Sequence, residues 1–115
     1  MNDYRNQCSE FIEWCRPKLN LRGKIHVQLI NKPIQVGSQV SFGYYDFKTH
    51  KIVISCKDRH PTDCLRTLAH ELVHLAQAQI SPLTGADGVT GSDIENEANA
   101  LAGILMRLWN TKHLD

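Results

Sequence analysis

The chain has 115 residues, 42% of them hydrophobic and 22% charged, with a net charge of +1 when histidine is neutral. That is ordinary composition for one globular domain over 1–115, and it argues against disorder, a nucleic-acid footprint and a membrane-surface patch. Apolar runs are too short to cross a bilayer, and the acid-bearing N-terminus has no apolar signal core, so a cytoplasmic location is expected.

Residues 3 to 16 place Tyr4, Cys8, Phe11, Ile12 and Cys15 at helical spacing, and Pro17 is expected to end that helix. Residues 24 to 30 alternate, with Ile25, Val27 and Leu29 against His26 and Gln28, which is the pattern of a half-buried strand. Asn31-Lys32-Pro33 and Gly37-Ser38 are turn signals. Residues 40 to 47 read as a second strand, in which Gly43 marks a bulge or a close backbone approach. Lys48-Thr49-His50 joins it as a hairpin to a third strand over 51 to 55, and His26 and His50 read as solvated. Pro61 and Asp63 suit the first turn of a helix that continues to about Gln79. Residues 80 to 91, with Pro82, Gly85, Gly88 and Gly91, form a loop.

Ser92-Asp93-Ile94-Glu95 has the form of a capping box, with Ser92 as N-cap and Glu95 at the third helical position. The last helix then runs to about Lys112 on an apolar stripe of Ile94, Ala98, Leu101, Ile104, Leu105 and Leu108, with Trp109 at its margin. The fold class is therefore α+β: an N-terminal helix, a small three-stranded sheet and two further helices. Cys8, Cys15, Cys56 and Cys64 form no CxxC pair and are expected to be buried, reduced thiols.

Chemistry concentrates in His70-Glu71-Leu72-Val73-His74. Two histidines four apart on a helix lie one turn apart on one face, where two imidazole nitrogens can converge on an ion. Glu71 stands at the edge of that face, where a base can take a proton from an activated water. Leu65, Leu68, Leu72, Leu75 and Ala76 cluster on the opposite side and are expected to face the core.

A catalytic zinc site normally has a third protein ligand. Asp87, Asp93, Glu95, Glu97 and His113 are available downstream. Glu97 lies within about 40° of the centre of the last helix's stripe, in line with Leu101, Ile104 and Leu108, while Glu95 points away and has a capping role. A carboxylate on an apolar face needs a partner, so Glu97 is the expected ligand; a buried salt bridge to Arg66 or Arg107 is the plainer alternative. Gln77 and Ile80 stand where a metzincin needs glycine and histidine.

With these residues in place, the stretch 61 to 108 resembles a minimal gluzincin metallopeptidase: His70-Glu71-x-x-His74 followed by Asn96-Glu97-Ala98 on a later helix. Residues 95 to 99 in particular resemble the small ImmA/IrrE-like peptidases and short phage-borne SprT-like proteins. The resemblance implies a zincin-like domain with zinc held by His70, His74 and Glu97, and Glu71 as general base and acid in the hydrolysis of a peptide or protein substrate. It also implies a sheet edge strand lining the substrate cleft. Many gluzincins carry an aspartate four residues after the glutamate ligand to orient a histidine; counted from Glu97 that position is Leu101, with Asn99 as a possible substitute. No third histidine of the SprT kind follows His74 at a suitable place, which weakens any DNA-repair reading. Tyr44, Tyr45 and His113 are candidates for oxyanion stabilisation, and Gln77 for a contact with substrate, with the surroundings of the metal or simply with solvent. The rival reading is a zinc-stabilised binding or regulatory module of the same fold without catalysis.

Overall fold

In the computed structural model, which describes residues 3–81 and 92–112, the first helix α1 spans Asp3–Leu19 and continues through Pro17. The expected stop at Pro17 is therefore displaced by most of a turn. Proline here removes one backbone bond near the helix end, and the chain closes instead on a Schellman motif. Asn20 takes a left-handed φ of 55°, its N–H bonds Pro17 O, and the Leu21 N–H reaches back to Arg16 O at 2.9 Å. Leu21 then turns into the core at 5% exposure.

Strand β1 (His26–Ile30) follows, then β2 (Ile34–Val36), β3 (Gln39–Ser41), β4 (Gly43–Asp46) and β5 (Lys51–Ser55). The main sheet has the order β1-β5-β4, with β1 parallel and β4 antiparallel to the central β5. β5 is covered on both faces, and Ile52 and Ile54 are fully buried. The single strand expected over 40 to 47 is two. β3 pairs with β2 in a separate hairpin, and the chain crosses to the main sheet between Ser41 and Gly43. The break falls at the glycine that the sequence singled out. A Cβ on Gly43 would sit 2.5 Å from the Thr67 methyl carbon, so only glycine lets β4 approach the helix below it.

That helix, α2 (Pro61–Ile80), starts with Pro61 in its first turn and with His60 as N-cap, whose Nδ1 accepts from the Thr62 N–H at 3.1 Å. Its middle is buried nearly all round. Leu68, Ala69 and Leu72 are fully enclosed, and Glu71, His74 and Gln77 are also buried, so the histidine face is a second packed interface rather than a solvent-facing side. That interface is made with α3 (Asp93–Lys112).

The buried line of α3 is Ala98, Ala102, Leu105, Met106 and Trp109, whereas Ile104 and Leu108 are 50% and 47% exposed. The expected stripe is thus rotated: Trp109 moves from its margin to its centre. Trp109 is drawn in by aromatic contacts across to α1, edge-on to Phe11 at 5.0 Å and to Trp14 at 5.3 Å between ring centroids. One core cluster joins α1, β5, α2 and α3. No described helix is long and apolar enough to cross a membrane. Asp87, His113 and the segment 82–91 of the expected loop lie outside the described residues, as does the side chain of Tyr4.

Candidate metal centre

α2 and α3 bring three side chains to one point. The rings of His70 and His74 meet edge to face, and their Nε2 atoms lie 3.1 Å apart. Glu95, from the first turn of α3, reaches across to both: Oε1 lies 3.0 Å from His70 Nε2 and Oε2 2.9 Å from His74 Nε2. Among the described residues these three form the group placed to share an ion, with ligand atoms all within 4.8 Å of one another.

The donor set fits zinc. Two imidazoles and a carboxylate are a donor set of catalytic zinc sites, and zinc–ligand bonds of about 2.0–2.1 Å in a tetrahedron put donors roughly 3.3 Å apart. The three separations here fall only a few tenths of an ångström below that, so slight spreading would admit the ion. Burial, reinforced by the neighbouring His74, lowers the pKa of His70 and favours the neutral ring that a metal needs.

Glu97, the expected third ligand, is not in this group. It is exposed, and its Oε1 accepts a hydrogen bond of 2.7 Å from Gln77 Nε2. It makes neither the metal-ligand contact nor the buried salt bridge weighed for it. The cause is the rotated stripe of α3. Extending the buried positions Ala98, Ala102, Leu105 and Trp109 back by one helical step arrives at Glu95, while Glu97 belongs with the exposed Ile104 and Leu108. The capping assignment did not exclude Glu95 either. Its backbone N–H bonds Ser92 Oγ at 3.1 Å, as half of the box requires, and its carboxylate remains free for the histidines.

A further layer orients the rings. Asn99 lies close enough to His70 to act on its titration. Counted from Glu95, Asn99 occupies the position four residues after the carboxylate that meets the histidines. Gln77 serves His74, with Oε1 2.8 Å from His74 Nδ1, and its own amide nitrogen is held by Ile94 O and Glu97. Of the three readings open for Gln77, the structure favours the one beside the histidines, since the residue is 8% exposed.

Glu71 stands beside this group and is itself 7% exposed. Burial first, and then the charge of Glu95, push its carboxyl up to about 8, into the range where a carboxyl can exchange protons near neutral pH. The tyrosines considered for oxyanion stabilisation are engaged elsewhere or turned outward: the Tyr45 hydroxyl hydrogen-bonds His50 Nδ1 at the β4–β5 turn, and Tyr44 is 42% exposed. Comparison with known proteins gave no matching family model, no similar curated protein and no similar solved structure.

Proposed function

We propose that this chain is a zinc-dependent peptidase of the gluzincin type, with a zincin-like fold, in which His70, His74 and Glu95 hold the metal and Glu71 handles the proton. The observation that carries this reading is the convergence of three ligand atoms from two helices beside a buried carboxyl of raised pKa. A bound zinc supplies Lewis acidity and lowers the pKa of water toward ~7. Glu71 takes the proton of the attacking water and passes it to the leaving amine. Gln77 keeps the His74 ring in place while that happens.

The sheet supports a peptide as substrate. β4 is an edge strand, paired on one side with β5, and it lies against α2 through Gly43 and Thr67, one turn before His70 and Glu71. Phe42 and Tyr44, 49% and 42% exposed, flank that contact. Among the described residues no strand pairs with the other edge of β4, and an extended peptide added there would run along the helix that carries the site.

The test is Glu71→Gln. It should bind one zinc per chain and fail to cleave a quenched-fluorescent peptide library that the wild type cleaves. Hydrolysis that survives the substitution excludes Glu71 as the proton carrier.

A second reading has one observation in its favour: the ligands tie α2 to α3, and His74 and Glu71 are almost enclosed, as in a purely structural zinc site. A peptide hydroxamate separates the two. It raises the melting temperature of the zinc-loaded protein if a coordination position is open to ligands, and leaves it unchanged if the site is closed.

A further inference from the structure

Gln77 makes three polar contacts through one amide. Its nitrogen lies 3.1 Å from Ile94 O and 2.7 Å from Glu97 Oε1, and its oxygen 2.8 Å from His74 Nδ1. A backbone carbonyl can only accept, so the NH2 end of the amide must face Ile94 O, and Glu97 Oε1 accepts from the same nitrogen. The amide oxygen is then forced toward His74 and can only accept there. His74 must therefore donate from Nδ1, which leaves Nε2 as the ring nitrogen that faces Glu95 and His70.

We propose that Gln77 and Glu97 form a positioning relay that fixes both the tautomer and the direction of His74, so that Glu97 tunes the affinity of the site for its ion without touching it. The inference rests on the metal-site reading above. It assigns a role to a surface carboxylate more than one contact away from the ligands. Ile94 O holds the amide as well, so Gln77 is the stronger member of the relay and Glu97 the weaker. Substituting a side chain that supports a metal-bound histidine typically costs 10–100-fold in metal affinity. Losing the Glu97 contact should cost about threefold to tenfold, the range of a single net hydrogen bond.

The relay is tested by zinc affinity, measured in competition with a chromophoric chelator, and by the ring-nitrogen shifts of His74 in the metal-free protein. Gln77→Leu should weaken zinc binding 10–100-fold and release the Nδ1-protonated tautomer. Glu97→Ala should weaken it about threefold to tenfold, and the double variant should bind no more weakly than Gln77→Leu alone, because Glu97 acts only through Gln77. The exchanged pair Gln77→Glu with Glu97→Gln, which again presents an acceptor to His74 and a donor between the two positions, should recover part of the loss. Should Gln77→Leu fail to fold, Glu97→Ala decides the matter, since residue 97 is exposed. Wild-type affinity in Glu97→Ala, full additivity in the double variant, or a wild-type His74 without a proton on Nδ1 would overturn the relay. Glu95→Ala keeps the two ideas apart: zinc retained there overturns the metal site itself, whereas zinc lost there with Glu97→Ala unchanged overturns the relay alone.

Discussion

Glu95 Oε2 lies 2.9 Å from His74 Nε2, between residues 21 positions apart in the chain. That contact pins the first turn of α3 against the middle of α2 and makes Glu71 the buried neighbour of two histidines and a carboxylate. The consequences for stability and chemistry can be measured separately.

Without metal, the protein should lose stability as pH rises. The Glu71 carboxyl is raised from 4.5 to about 8, so the stability it contributes is fully present below 4.5 and is lost as pH climbs through 8. The effect is on the order of a few kcal/mol for a group this buried. His70 acts in the opposite sense: its lowered pKa makes it costly as pH falls through and below 6.5. Melting temperatures of metal-free wild type and Glu71→Gln between pH 5 and 8.5 separate the two, because the difference between the curves belongs to Glu71. Parallel curves would contradict the assignment.

Gly43→Ala should destabilise the fold by about 1–3 kcal/mol, the usual cost of overpacking. The added methyl meets the Thr67 methyl carbon at 2.5 Å, and Thr67 cannot easily turn away, because its hydroxyl bonds both Arg59 and Asp63 O. Thr67→Ser keeps the hydroxyl and removes the methyl. Combining the two substitutions should restore much of the stability in urea denaturation; a double variant as weak as Gly43→Ala alone would mean that the clash lies elsewhere.

The rotated stripe of α3 predicts unequal neighbours. Trp109→Ala should cost about 3–5 kcal/mol and Leu108→Ala under about 1, because Trp109 is 7% exposed and Leu108 47%. Equal losses would restore the stripe expected from periodicity.

The thiols should be slow. Burial pushes Cys8 up to about 11 and Cys15 and Cys64 up to about 12, so each is protonated at neutral pH. Native protein at pH 7.5 should react with a disulfide reagent far more slowly than denatured protein, with the half-buried Cys56 reacting first. Rapid labelling of Cys64 would show that the helix start opens.

Local signals made most of the elements legible. β5 and α3 fall within a residue or so of the expected spans because each is bounded by turn or capping residues and carries a clean period. What failed needed tertiary information. The chain over 40 to 47 is rich in strand formers throughout, and nothing local says that its two halves pair with different partners. On α3, leucine and isoleucine outweigh alanine in any apolar stripe. The true interface uses Ala98 and Ala102 because α2 packs closely there, and a small side chain is what close packing requires. That misplacement put the expected ligand at Glu97 rather than at Glu95, the carboxylate that meets the histidines. His70, Glu71 and His74 were legible because helix geometry alone sets their spacing.

The most direct test is zinc content after exhaustive dialysis of Glu95→Ala and Glu97→Ala, prepared side by side with the wild type. A site built on His70, His74 and Glu95 predicts one zinc per chain in the wild type, essentially none in Glu95→Ala, and retained though weaker binding in Glu97→Ala. Full zinc in Glu95→Ala, with loss only in Glu97→Ala, would contradict it.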